Sequence, residues 1–184
     1  MTRRLVAFAS LGAALALVVA WPRPARPIAA CPANAHLAGA PPPHGTQQWC
    51  AQSVAGGQGV KHGPYLAWHV NGRLKVSGAY RDGIKEGPWT FWHVNGQKNE
   101  QGDFQHGLER GTWRRWYENG QPLDEGQYRD GARWGRWTFW YENGRREREG
   151  EYQAGDGVGT WTRWNLKGEP CDATAAPASP PAHG

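Results

Sequence analysis

The sequence predicts an all-β protein, namely an elongated antiparallel β-meander of five 24-residue hairpin repeats in a single-layer sheet. A glycine recurs every 24 residues, and an aromatic residue follows two positions later in all five copies without a gap. The first four copies share an Asn-Gly pair in the same register and end at a second glycine-containing turn, whereas the fifth has Lys167-Gly168 and is truncated after it. A fixed period in the twenties is typical of stacked supersecondary units. The repeated glycines are Gly63, Gly87, Gly111, Gly135 and Gly159.

Each copy reads as one β-hairpin. Asn-Gly between aromatic and β-favouring residues indicates a type I′ turn, which needs positive φ at both central residues. The outgoing strand ends at a second turn, Asp82-Gly83 in the first copy, from which the next hairpin starts. Five copies give about ten strands, and the sheet should extend roughly 45 to 50 Å at about 4.8 Å per strand.

Two aromatic columns would fall on opposite faces if side chains alternate along the strand, so either both faces carry aromatic rings or a bulge re-aims one column. Positions 65, 67 and 69 and their equivalents share one face, and positions 66, 68 and 70 share the other. Glycines such as Gly102 in the second strand would let a neighbouring indole lie flat on bare backbone. Broad rings cover the backbone of a single-layer sheet, so we expect a packing role for the invariant tryptophans. These are Trp68, Trp92, Trp116, Trp140 and Trp164.

The column that begins at Ala67 varies most in chemistry. Its later members alternate between phenylalanine and arginine, which are among the apolar and cationic residue types suited to binding proteins. We predict that this column lies on the exposed, partner-facing side and that the Trp68 column lies on the packed side. The alternative is that phenylalanine and arginine are interchangeable strand residues here. The candidate binding face consists of Phe91, Arg115, Phe139 and Arg163.

The chain divides into four segments by composition. Residues 1–30 hold a basic start, an apolar run and a Pro-rich spacer, which is the pattern of a signal peptide. An uncleaved N-terminal anchor is the alternative. Residues 31–58 are predicted to be an irregular Cys-bridged segment, residues 59–171 the repeat array, and the Ala/Pro-rich residues 172–184 a disordered tail. The expected location is the periplasm or cell envelope.

The three cysteines of an exported chain are first considered as crosslinks. We predict a bridge between Cys31 and Cys50, which closes a Pro- and Gly-rich loop, with Cys171 free or pairing between chains. The sequence before Cys31 also resembles a bacterial lipobox. In that alternative Cys31 is lipidated and the protein is anchored to a membrane.

The charge of the chain does not favour nucleic acid as a partner. The formal net charge is +5, but four arginines and no acidic residue precede residue 31, which leaves 17 basic against 16 acidic residues. Phosphate binding relies on clustered Lys and Arg, whereas these charges are interspersed.

Catalytic motifs are not found in the sequence. There is no nucleophile elbow, Cys-x-x-Cys pair, phosphate-cradling loop or nucleotide fingerprint, so we predict no catalytic residue, no metal and no cofactor. His69 and His93 would stand two strands apart, about 9.6 Å, which is poor for one tetrahedral ion. Glu118 and Glu142 have a comparable separation, but each precedes a solvated Asn-Gly turn.

The pattern Gly-x-Trp-x-x-Trp-Tyr-x-Asn-Gly, followed by Gly-x-Tyr and a closing Gly, resembles the bacterial variant class of MORN repeats over about 110 of the 184 residues. This resemblance implies a hairpin-repeat fold and an interaction scaffold, with lipid contact proposed for some members. Similar proteins are often labelled antitoxin components of toxin–antitoxin pairs, and export would place such a toxin outside the cytoplasm. A weaker resemblance is to choline-binding cell-wall modules, whose aromatic hairpins cage quaternary ammonium groups.

The sequence therefore predicts an exported, non-enzymatic scaffold for protein–protein interaction. A flat repeat sheet has strand edges and a broad face but few of the concavities in which small-molecule sites usually form. One alternative is a module that binds an envelope glycan or a lipid headgroup. A second is an antitoxin or immunity-type protein that neutralises a toxin.

Overall fold

The computed structural model describes residues 26–53 and 59–175. In these ranges the chain forms one antiparallel sheet of 12 strands, ordered in space as in the sequence, and contains no helix. The predicted all-β, single-layer meander is thus confirmed. Its strands are β1 (Ala35–Ala40), β2 (Gln47–Gln52), β3 (Val60–Trp68), β4 (Leu74–Arg81), β5 (Ile84–Trp92), β6 (Lys98–Gln105), β7 (Leu108–Trp116), β8 (Pro122–Arg129), β9 (Ala132–Trp140), β10 (Arg146–Gln153), β11 (Asp156–Trp164) and β12 (Pro170–Ala175).

The five repeats supply β3 to β12, two strands each. Where one hairpin meets the next, the ladder contains a bulge. Pairing passes from Ser77–Thr90 to Ala79–Glu86, so the three residues 87–89 face the single residue Gly78. Gly87 has a φ of 70°, which a residue with a Cβ adopts only at a cost. This bulge turns the ring of Trp89 over Gly78 and explains why a glycine begins every repeat.

The type I′ turn lies at the second turn of the copy and not at the Asn-Gly pair, where it was predicted. At the Asn-Gly pair the amide of Gly72 donates to the carbonyl of His69, and only Gly72 of that pair has positive φ, at 79°. This is a three-residue loop with a type I turn followed by a left-handed glycine, and the predicted type I′ turn is wrong there. Asp82 and Gly83, with φ of 51° and 83°, form the two-residue type I′ turn instead.

Two segment predictions also need correction. The described part of the predicted irregular segment, residues 31–53, contains β1 and β2, and β2 pairs with the first repeat strand β3. An open sheet leaves the backbone groups of its edge strand unpaired, and β2 satisfies them. At the other end, residues 172–175 of the predicted tail belong to β12. The rest of that tail, and most of the predicted signal peptide, lie outside the described residues.

The core is a layer of rings on one face of the sheet rather than an interior between two layers. The largest fully buried side chains are Trp89, Trp137 and Trp161, and Cys50 is also fully buried. Across residues 26–53 and 59–175, no helix is long and apolar enough to cross a membrane.

Candidate functional site

One face of the sheet carries a continuous series of aromatic rings. We call it the ladder face. Its rings come from repeat positions 65 and 80, and consecutive rings meet edge to face, with centroids 5.1 to 5.9 Å apart. Such pairs contribute roughly 0.5 to 1.5 kcal/mol each beyond the area that they bury. In order, the rings are Tyr65, Tyr80, Trp89, Phe104, Trp113, Tyr128, Trp137, Tyr152 and Trp161.

Glycines of the second strands hold these indoles against the backbone, as predicted. A Cβ placed on Gly126 would lie 2.1 Å from the Trp137 ring, so no other residue fits beneath it. The indole nitrogen of Trp137 donates to the carbonyl of Gln127 at 3.1 Å. Trp89 and Trp113 make the same bond in their own repeats. These three rings are therefore fixed by a steric fit and by a hydrogen bond, whereas Trp161 fits over Gly150 but its buried indole nitrogen has no hydrogen-bond partner among the described residues.

Cations lie over the ladder in both halves of the array. The ammonium of Lys85 lies 5.0 Å from the Trp89 ring and 4.5 Å from the Phe104 ring. The guanidinium of Arg133 lies 4.4 Å from the Trp137 ring and donates to the hydroxyl of Tyr152 at 3.2 Å. These are cation–π distances. The long apolar stems of these residues also screen the rings from water, so the ladder face is partly covered by its own side chains.

The column predicted to be exposed lies on this packed ladder face. Ala67 and Phe139 are each 5% exposed, and Phe91 is half-buried. Phe91 stacks on Trp89 and Phe139 stacks on Trp137, each pair with centroids 6.0 Å apart. The prediction that this column is the exposed one is wrong, because the rings at positions 65 and 67 share a face and pack on each other. Whether its members contact a partner stays a prediction.

Arg115, in the same column, belongs to a charge-balanced group. Its guanidinium binds Asp124 with two nitrogens, and the Nε–Oδ1 distance is 2.9 Å. Asp124 is 2% exposed, and the pair is neighboured by Glu100 across the next strand. Burial raises the pKa of the Glu100 carboxyl; Arg115 opposes this rise, and Asp124 and Glu109 add to it. This half-buried guanidinium has carboxylates on both sides.

Arg163 has a different neighbourhood two repeats later. Its cross-strand partner in β10 is Arg148, so two like charges stand directly opposite each other. The guanidinium of Arg148 lies over the Phe139 ring at 4.1 Å, and one of its terminal nitrogens donates to Glu147 at 2.7 Å. The Nε atoms of Arg148 and Arg163 are buried without a hydrogen-bond partner among the described residues. Like charges opposite each other and unpaired buried donors both destabilise a sheet.

The opposite face carries the invariant tryptophan column. Trp68 is buried at 5% exposure, but the four later members are half-buried. Lys98 lies 5.7 Å from the Trp116 ring, and Arg114 pairs with Glu125 at 3.0 Å. This face is more polar than the ladder face. The prediction that the invariant column is the packed one is therefore wrong for all members except Trp68.

The edge with the Asn-Gly loops is held by side chains that reach the next repeat. The amide nitrogen of Asn71 donates to the carbonyl of Val94 at 2.9 Å, and three later asparagines repeat this bond. The Nε2 atoms of His69 and His93 lie 2.9 and 2.8 Å from the carbonyls of Trp92 and Trp116. The two histidines thus bind backbone rather than each other. Among the described residues, no group of three or more His, Cys, Asp or Glu could hold a metal.

The predicted disulfide is present between Cys31 and Cys50. Cys50 is fully buried, and the bridge holds Pro32 against Gly63 at the first repeat. The bridge uses the Cys31 sulfur that lipidation would require, so the two alternatives exclude each other. Cys171 is free and exposed on the edge strand β12.

Comparison with known families agrees with this geometry. Residues 109–130 and 135–154 match the family model described as MORN repeat variant. The two segments cover most of the third and fourth hairpins, which are the copies that match Gly-x-Trp-x-x-Trp-Tyr-x-Asn-Gly in full. No curated protein matches the chain. These two segments are therefore similar to the MORN repeat variant, and they lie within an array of β-hairpin repeats.

Proposed function

We propose that this chain is an exported repeat scaffold that binds a partner protein through the ladder face and catalyses no reaction. The observation that carries the proposal is the opposed pair Arg148 and Arg163, whose buried Nε donors have no partner among the described residues. A carboxylate of a partner beside these half-buried guanidinium groups would offset the two opposed like charges.

The surroundings of this pair support a protein partner. The guanidinium of Arg148 lies over the Phe139 ring, which is 5% exposed, so a partner would contact the cation and the apolar stem that cover this ring. Arginine and large aromatic residues dominate the binding energy of protein interfaces. Within residues 26–53 and 59–175 the sheet is one layer thick, and no second layer of these residues covers this face.

Export to the periplasm or cell envelope is part of the same proposal. The bridge between Cys31 and Cys50 is compatible with an oxidising compartment. The predicted signal peptide supports it from the sequence. With a toxin as the partner, the scaffold would act as an antitoxin or immunity-type protein that neutralises this toxin.

Photo-crosslinking tests which face makes the contact. Benzoyl-phenylalanine would replace Phe91 on the ladder face, or its neighbour Thr90 on the opposite face, in the full chain expressed in its own cells. We expect a discrete protein adduct from position 91 and little from position 90. In the crosslinker chain, charge reversal of Arg148 and Arg163 to Glu should abolish the adduct.

Two outcomes would contradict the proposal. Equal protein adducts from both positions would show that the ladder face is not the specific surface. Adducts that contain only glycan or lipid would replace it with the glycan or headgroup alternative.

A further inference from the structure

Two hollows lie side by side on the ladder face, near the Asn-Gly loops. The first, of about 410 Å³, lies over Ala67 between β2, β3 and β4. The second, of about 310 Å³, lies over Phe91, one repeat further along. Both are lined by His69, Lys75 and Val76, so they form one continuous groove. Their volumes fall at the lower end of those of ligand pockets, roughly 300 to 1,000 Å³.

The repeats themselves show what the first hollow lacks. In the second and fourth copies a phenylalanine occupies this column and stacks on the tryptophan two positions before it, with centroids 6.0 Å apart. In the first copy the column holds Ala67, and the ring at the tryptophan position is Tyr65. The first hollow is the larger of the two where the ring is missing, at about 410 against 310 Å³. An aromatic side chain of another molecule would find here the stacking partner that Phe91 and Phe139 find in their own copies.

The charge at the groove indicates the second feature of the ligand. Lys75 lines both hollows, is exposed, and makes no ion pair with any described residue. The Nε2 of His69 is already engaged by the carbonyl of Trp92. The acidic residue of the groove, Glu118, lines only the second hollow. A ligand anion is therefore best placed beside Lys75, close to the first hollow.

We propose that the first hollow binds an aromatic side chain of a peptide segment that also places a carboxylate at Lys75. This rests on the proposed function and specifies one contact of the same face. The ring would stack on Tyr65 and be buried beside Val76. A lipid headgroup would supply the anion without the ring and would leave the apolar hollow unfilled, so a peptide fits the groove better.

Short capped synthetic peptides provide the probe. The first contains Phe and Asp one residue apart, and two controls replace Phe with Ala or Asp with Asn. Isothermal titration of the full chain should show binding of the first peptide. Loss of its ring should weaken binding about tenfold or more, because the complex then loses the free energy of burying an aromatic side chain. Loss of the carboxylate should weaken it about two- to fivefold, and salt should reduce that difference.

Substitutions in the chain locate the site. Ala67→Phe should fold, because two other copies hold phenylalanine in this column, and it should abolish binding of the first peptide. Leu66→Phe adds the same ring on the opposite face and should leave binding unchanged. Lys75→Gln should reproduce the effect of removing the peptide carboxylate, whereas Lys167→Gln, at the far end of the array, should not.

A second measurement does not depend on the fold of the variants. A peptide with benzoyl-phenylalanine in place of Phe should crosslink, in the unmodified chain, to residues that line the first hollow. Crosslinks elsewhere, or unchanged peptide binding by Ala67→Phe, would overturn the proposal, as would absence of binding at millimolar peptide. Binding of anionic vesicles that Ala67→Phe abolishes, without peptide binding, would assign the groove to lipid. Ladder-face adducts in cells without peptide binding would refute this inference and leave the proposed function standing.

Discussion

Replacement of Trp137 by Ala tests whether the ladder holds the sheet together. The ring is 1% exposed and contacts three aromatic rings, those of Tyr128, Phe139 and Tyr152, at centroid distances of 5.2, 6.0 and 5.9 Å. The guanidinium of Arg133 also lies over this ring, at a cation–π distance of 4.4 Å. Truncation removes all of these contacts and one hydrogen bond to the backbone.

The expected cost follows from this burial. Truncation of a buried Phe or Trp to Ala lowers the free energy of unfolding by about 3 to 5 kcal/mol. The value should fall within this range because Gly126 beneath the ring has no side chain to refill the space. For a chain of this size, each kcal/mol lowers the melting temperature by about 2 to 4 °C, so the shift should be roughly 6 to 20 °C.

The matched control is Trp140→Ala, three residues further along the same strand. Trp140 is half-buried on the opposite face, so its truncation should cost only about 1 to 2 kcal/mol. Both variants would be unfolded by heat and by urea, with far-ultraviolet circular dichroism for the strands and fluorescence for the remaining indoles. Two probes are needed because a repeat array can unfold in parts.

Equal costs, or a larger cost for Trp140→Ala, would refute the assignment of the ladder face as the core. The reasoning would also fail if Trp137→Ala changed only the fluorescence and left the unfolding of the strands in place. In either case the invariant tryptophan column would have to be the main packing layer.

Three further changes separate the other forces in the fold. Gly126→Ala should lower the melting temperature by more than Gly135→Ala, because the first places a Cβ against an indole whereas the second meets no atom within 4 Å and costs only the strain of φ = 67°. Burial raises the folded-state pKa of Glu100, so ionisation of this carboxyl lowers the stability of the protein as the pH rises from the unfolded-state pKa through the folded-state pKa. Glu100→Gln should therefore stabilise the protein at pH 7. Unfolding curves at pH 7 and at pH 3 should show that this gain is lost at the lower pH. Replacing both Cys31 and Cys50 by Ser should cost about 3 kcal/mol of stability at the N-terminal hairpin, and thiol counting in the native chain should find a single reactive cysteine.

Much of the fold was predictable because the repeat period determines the positions of strands and turns. The 24-residue spacing predicted the ten strands of the repeats and their order, but not β1 and β2, and the glycines of the second strands indicated that indoles lie on bare backbone. The turn types were not predictable from Asn-Gly alone. Asn71 is held by its side chain, whose Oδ1 accepts from the amide of Arg73 while its Nδ2 reaches Val94. These bonds depend on the next repeat and hence on tertiary structure.

The packed face was harder to predict, because both faces carry a tryptophan column of equal hydrophobicity. The deciding feature is which column lies against glycine. In the structure the indole of Trp113 covers Gly102, whereas Trp116 lies on the opposite face beside Lys98. The bulge at each repeat start determines this match, and its effect on the register was not visible in the alternation of residues.

The variable column at position 67 shows why chemical variety did not mean exposure. Its residues change together with their neighbours across the strands: Arg115 is matched by Asp124, and Phe139 is covered by the guanidinium of Arg148. A column of varied residues is compatible with packing when each member has a matching neighbour on the adjacent strand. Two places in the column break the rule, namely the opposed guanidinium groups at Arg163 and the unfilled hollow over Ala67. Local inconsistencies that persist in an otherwise self-consistent array are expected at functional positions, and these two therefore carry the binding proposals.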